Sequence, residues 1–334
     1  MKPLPLIKAR YIVAFSRALD DLGSLSVGLF ERLNISKRYT EDEEAWMPIK
    51  QLCEFVEAAV YETGYWDLGL KASLLPRSKH SKFSKKYLFT PSLHRLLGTL
   101  CDNSVMEDTS AHFRLITRGE LTWLDCGSVK GSSESVRQIE LYRLGALVNA
   151  IRLVLGADWL PPALHLQSED DGYLQDVPFL REINKRFSSP GLAIGIPTAQ
   201  MGQPFQSSVK AADLQDDAIT PQAPEYAPAV ENAIKEIVRN NLMRGSISLD
   251  DVAAALGISS RTLQRALTEC RLTYSGLRDA VRLDTARELL TTTDMPQCKI
   301  SRQIGYRNST HFSRAFKRAC GMTPRQYRAS EKDG

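Results

Sequence analysis

A chain of 334 residues, 43% hydrophobic and 25% charged, is long enough for two cores and too apolar to be disordered. No apolar run reaches membrane-spanning length, and the opening Met1-Lys2-Pro3-Leu4-Pro5-Leu6-Ile7-Lys8 lacks the sustained apolar stretch of a signal peptide. The net charge of +4 is unevenly divided: Glu231–Ser330 carries 17 Lys and Arg against 9 Asp and Glu, while the rest carries 26 against 30. Attraction for a polyanion therefore lies in the C-terminal third.

Cys53, Cys101, Cys126, Cys270, Cys298 and Cys320 are scattered, with no C-x-x-C pair and no Cys/His cluster at zinc spacing. That pattern reads as free thiols in a reducing cytoplasm, with neither metal nor cofactor expected.

From the N-terminus, helical periodicity covers Leu6–Leu22, Pro48–Thr63 and Pro91–Leu100. The run Arg77–Lys86 has five positive charges and no acid, and reads as a solvated loop. Strand-like runs follow at His112–Thr117 and Glu120–Cys126, joined through Arg118-Gly119 as a hairpin. A long helix is predicted over Glu134–Leu155, apolar at Ile139, Leu144, Leu147, Ile151 and Val154. Two more strands are suggested at Ala163–Gln167 and Leu192–Ile196. Glu169-Asp170-Asp171-Gly172 lacks the alternating carboxylates and distal glutamate of a calcium loop. Residues 1–206 thus read as one α+β domain, a small sheet with helices packed on it. Ser207–Pro228, with Pro221, Pro224 and Pro228, reads as a tether, and 229–328 as a basic, all-α domain.

The sharpest signal is LDDVAAALGISSRTLQRALTE, beginning at Leu249. Val252, Leu256, Leu263 and Leu267 have the spacing of two short packed helices; Gly257 suits a left-handed turn, and Ser259 suits an N-cap. Arg261, Thr262, Gln264 and Arg265 are left on the outer side near the second helix start, where a recognition helix carries base-reading groups. A second copy follows in ISRQIGYRNSTHFSRAFKR, its Gly305 lying 48 residues after Gly257 and its turn one residue longer. Phe312 and Phe316 form its inward pair, Asn308 its cap, and Ser309, Thr310, His311, Ser313 and Arg314 its outer face. Between the units Tyr274–Thr291 reads as one connector helix, buried at Leu277, Val281, Ala286 and Leu290. Its length of roughly 30 Å approaches the ~34 Å between successive major-groove faces. Arg239, Arg287, Lys317 and Arg325 are expected to be solvated or to face phosphate.

These two motifs, the connector RLDTARELL and the closing IGYRNSTHFSRAFKRACGMTPRQYR make residues 229–328 resemble the DNA-binding domain of the AraC/XylS family of transcription regulators. The resemblance implies a module that sets two helices in adjacent major grooves of double-stranded DNA and recruits RNA polymerase. By position it implies base reading by Arg261, Gln264 and Arg265, and by Ser309, Thr310, His311 and Arg314. Ser301 stands where the family commonly has alanine; a buried serine can bond back to a carbonyl, at a small stability cost. Met47–Ser73, the stretch from Gly156 to Pro161 and Ile196–Pro204 more loosely resemble an arabinose-binding-type effector domain. The resulting expectation is an activator controlled by a small organic effector, with self-association an additional expectation. Two rivals are a partner- or dimerisation-controlled DNA binder without a ligand and a DNA-repair or modifying enzyme with a reactive cysteine on the same module. The second finds no supporting motif: no phosphate loop, no nucleophile elbow and no metal-supported cysteine.

Overall fold

The computed structural model describes residues 3–75, 92–170, 172, 174, 177, 180–204, 226–242, 247–306 and 308–332. It contains two compact units, one of residues 5–33 and 38–223, the other of residues 1–4, 34–37 and 224–334. The basic run 77–86 and most of the proline-rich tether lie outside the described residues.

In the first unit the predicted helix from Leu6 is corrected. Leu6–Lys8 is a strand, β1, paired antiparallel with β2 (Trp46–Pro48), and α1 covers only Arg10–Asp21. A short apolar run has no period of its own; a partner distant in sequence decides its conformation. Short helices α2 (Val27–Arg32) and α3 (Arg38–Glu41) lie between these strands, neither long enough to show a pattern. Next come α4 (Ile49–Thr63), stopped by Gly64 in the left-handed conformation, α5 (Leu68–Leu74) and α6 (Leu93–Asn103), capped by the Ser92 side chain.

The hairpin forms as β3 (Arg114–Arg118) and β4 (Leu121–Asp125), turning through Gly119 at φ +60°. With β5 (Ala163–His165), β6 (Asn184–Arg186) and β7 (Ala193–Pro197) it builds a five-stranded sheet in the order β3-β4-β7-β5-β6. All neighbours are antiparallel except β5 and β6. The residues 92–204 therefore hold an α+β core, centred on Leu96, Leu97, Leu124, Leu144, Val148, Ile151, Leu164, Ile194 and Ile196.

Through this core runs α7 (Ser133–Leu155), capped by Ser132. From Ser135 to Gly145 nearly every residue is buried, polar Gln138, Glu140 and Arg143 included, so the helix is enclosed on all sides rather than amphipathic. It crosses α5 closely: a Cβ on Gly69 would lie 2.0 Å from the Gln138 carbonyl oxygen, so only glycine fits there. Glu140 is satisfied by the Gln167 and Ser168 amides at 2.6 and 3.2 Å and the Ser168 hydroxyl at 2.6 Å.

The second unit is helical: α8 (Tyr226–Leu242), α9 (Leu249–Ala255), α10 (Ser260–Glu269), α11 (Tyr274–Thr292), α12 (Gln297–Gln303), α13 (Ser309–Cys320) and α14 (Pro324–Lys332). Residues 34–37 cluster with these helices: the Asn34 amide donates to Asn241 Oδ1 at 2.9 Å, and the Ser36 hydroxyl donates to Glu236. No periodicity signals that membership, because a four-residue loop has none.

Candidate nucleic-acid interface

The first helix pair starts at Ser248, whose hydroxyl accepts from the Asp251 amide at 3.1 Å while Asp251 accepts from the Ser248 amide at 2.8 Å. This reciprocal box satisfies two donors that a helix start leaves orphaned. Val252 and Ala253 are buried, and Gly257 turns the chain at φ +68°. The turn is closed by Ile258 N–H donating to the Ala253 carbonyl at 3.0 Å. Ser259 caps α10 by accepting from the Thr262 amide at 3.2 Å, and Ser260 hydrogen-bonds Asp250 across the two helices. Leu263, Ala266 and Leu267 face inward. Arg261, Gln264 and Arg265 are exposed, whereas Thr262 is half-buried with its hydroxyl 2.9 Å from that of Ser259. Thr262 is thus partly engaged in the cap.

The second pair repeats the plan on α12 and α13. Gly305 turns at φ +80°, and the Tyr306 amide donates to the Ser301 carbonyl at 2.9 Å. Asn308 caps α13 through the Thr310 amide at 2.7 Å. Phe312 and Phe316 are buried and meet edge-on with centroids 5.7 Å apart; Tyr327 meets Phe316 edge-on at 5.4 Å, and Tyr306 packs tilted on Phe312 at 5.7 Å. Ser309, Thr310, His311 and Arg314 are exposed, and Ser313 is half-buried. The outward sets of α10 and α13 each offer a guanidinium that fits guanine and hydroxyls that fit either purine, and α10 adds the Gln264 carboxamide, which fits adenine.

Three expectations need revision. The Ser301 hydroxyl, 1% exposed, has no hydrogen-bond partner, so it does not bond back to a carbonyl. Arg239 pairs with Glu236 at 2.7 Å, and Arg287 pairs with Asp284 and donates to Cys320 Sγ at 3.4 Å; neither is simply solvated. The buried side of α11 also includes a charge, Arg282, 8% exposed. Its Nη2 donates to the Gly305 carbonyl at 3.1 Å, its guanidinium lies 5.1 Å over the Tyr306 ring, and Asp279 sits 3.5 Å away. Burial, with Arg278 nearby, holds Arg282 below the usual guanidinium range. This residue fastens the connector to the turn before α13. At the other end Arg328 donates to the Leu290 and Met295 carbonyls at 3.1 and 2.7 Å. Lys317 and Arg325 are exposed.

The thiols are poor nucleophiles where shifts occur: burial pushes Cys53 and Cys101 up to about 11, and Cys126 up as well. Near neutral pH they are protonated.

Residues 252–330 match the helix-turn-helix domain family model. Transcriptional activator NphR of Rhodococcus sp is 35% identical over 95 residues, which are 28% of this chain and 28% of that protein. The ornithine utilization regulator of Pseudomonas aeruginosa is 24% identical over 255 residues, 74% of this chain and 71% of its own length. Among solved structures, transcriptional regulator CdpR from Pseudomonas aeruginosa aligns over 95% of this chain and 96% of its own, at 17% identity and a TM-score of 0.41. The chain thus spans little more than a quarter of the first relative and most of the second.

Proposed function

We propose that this chain, whose residues 252–330 match the helix-turn-helix domain model, is a DNA-binding transcription regulator of AraC/XylS type that reads a specific operator with both helix pairs and answers to a small organic effector. Residues 229–328 act as the reading module and 1–206 as the effector and self-association domain, joined by a tether at 207–228. α10 presents Arg261, Thr262, Gln264 and Arg265, and α13 presents Ser309, Thr310, His311, Ser313 and Arg314, to adjacent major grooves. The observation that carries this reading is the doubling: two capped, glycine-turned helix pairs, each with an inward apolar pair and an outward set of donors. A connector of 19 residues supports a spacing of about one turn of B-DNA, at about 1.5 Å of rise per residue. Control by a metabolite is supported by the relative named for ornithine utilization. Activation through contact with RNA polymerase, in the cytoplasm, completes the proposal.

The test is genome-wide mapping of bound DNA followed by footprinting of the strongest sites. Two protected patches on one face, about 10 base pairs apart, are expected. A single patch of half that extent refutes use of both helices. An unchanged response to every metabolite condition after deletion of residues 1–206 refutes their assignment as the effector domain.

A further inference from the structure

In the unit of residues 5–33 and 38–223, Arg143 projects from the enclosed helix α7 and donates through Nη2 to Asp108 Oδ2 at 2.6 Å. The two side chains are only 6% and 4% exposed. Asp108 accounts for one nitrogen. Nε and Nη1, which carry three further N–H donors, are buried with no hydrogen-bond partner. A guanidinium left so incompletely paired inside a core is costly and calls for an occupant that completes it.

The space for one is present. Arg143 lines a cavity of about 50 Å³ together with Tyr11, Phe113, Tyr142, Ala146 and Leu147. Its polar end also holds Arg10 and Glu107, which pair with each other at 3.3 Å. The Tyr11 hydroxyl is pushed up by burial and by Glu107 beside it, so it stays protonated as a donor. Ser104 and Phe113 also line a separate open groove of about 610 Å³, so the cavity and the groove share part of one wall.

We propose that this cavity is the effector site and that its ligand is a small carboxylate: the carboxylate accepts from Arg143, and a short apolar body lies against Phe113, Tyr142 and Leu147. This deepens the effector reading above and rests on it. A carboxylate is the fitting class because two oxygens offer about four lone-pair sites to several donors at once, and bonds to an ionised acceptor are roughly twice as strong as neutral ones. An ammonium is repelled by Arg143, and the Glu107 and Asp108 carboxylates that line the same cavity are already paired with Arg10 and Arg143. A neutral hydroxyl satisfies fewer of its donors.

The experiment uses the full chain. Calorimetric binding and thermal unfolding are recorded with acetate, butyrate, benzoate and phenylacetate, each against its primary amide at fixed ionic strength, with a neutral sugar and an alkylamine alongside. At least one carboxylate is expected to bind saturably and raise the melting temperature, with its amide weaker by about tenfold or more. Ala146→Leu fills the cavity without touching the Arg143–Asp108 pair, and binding should fall by a similar factor in a chain shown to be folded by circular dichroism. Arg143→Lys, if it folds, should weaken the carboxylate and leave the amide nearly unchanged. The inference is overturned if none of the four carboxylates saturates, if amides bind as well, or if Ala146→Leu leaves binding intact. Saturation by the sugar or the amine, unaffected by Ala146→Leu, overturns the carboxylate site yet leaves effector control standing.

Discussion

Replacing Arg282 with Met keeps the aliphatic stem packed in α11 and removes the charged tip. Lost with it are the hydrogen bond to the Gly305 carbonyl at 3.1 Å and the contact over Tyr306 at 5.1 Å. A bond from a charged donor contributes about 1.5–3 kcal/mol, and the ring contact about 0.5–1 kcal/mol. Against this, removing a buried guanidinium whose Nε is unpartnered recovers part of its desolvation cost. The net loss expected is about 2 kcal/mol, or roughly 10 °C for a domain of this size. Scanning calorimetry of the full chain reads it in the transition that operator DNA shifts upward, since DNA stabilises the unit that binds it. Gly305→Ala supplies the partner arm: φ +80° strains any side chain, and its Cβ would sit 3.1 Å from Arg282 Nη2. With Met at 282 that second conflict is absent, so the double variant should be better than the sum of the singles by about 0.5–1 kcal/mol. A melting change under about 2 °C for Arg282→Met, or additivity within about 0.5 kcal/mol, refutes the clamp.

Ser301→Ala deletes a buried hydroxyl that no partner satisfies and should stabilise the same transition by about 1 kcal/mol; destabilisation in urea melts means the hydroxyl is bonded after all. Ser248→Ala breaks the first capping box and should cost about 1 kcal/mol, measured the same way. The two Ser248 hydrogen bonds lower the Asp251 pKa from 3.8, so its contribution is present above that ordinary value and is lost as pH falls through the depressed one. Asp251→Asn should therefore flatten the stability profile below about pH 4, and an unchanged acid slope contradicts the box.

The two helix pairs were legible in the sequence because each needs a glycine at the turn, a cap two or three residues on and an inward apolar pair, all local in the chain. Gly257 with Ser259, and Gly305 with Asn308, sit at those places. The long helix α7 was legible as well, but nothing local to Arg143 and Glu140 announces their partners at Asp108 and Ser168. Arg282 stayed hidden for the same reason. An arginine on a helix reads as solvated, and its partner, the Gly305 carbonyl, belongs to another element. At Leu6–Lys8 the deciding partner was Trp46–Pro48, and a three-residue strand has no period to announce it. Among these residues, what escaped depends on long-range pairing.

Base reading by α10 and α13, as distinct from attraction to phosphate, is tested most directly through Arg265 and Arg314. Both are exposed, on the side opposite the inward Leu263/Leu267 and Phe312/Phe316 pairs. An arginine forked onto guanine contributes about 1–3 kcal/mol of discrimination. Operator and random-sequence affinities are measured for Arg265→Ala, Arg314→Ala and the exposed control Lys317→Ala across a salt series. Each arginine variant should lose roughly ten- to a hundredfold on the operator, lose its preference at one or two base pairs, and change far less on random DNA. Lys317→Ala should weaken both alike and lower the salt slope by about one unit. Equal losses on operator and random DNA for the two arginine variants, with base preference intact, contradict the account and make these arginines phosphate clamps.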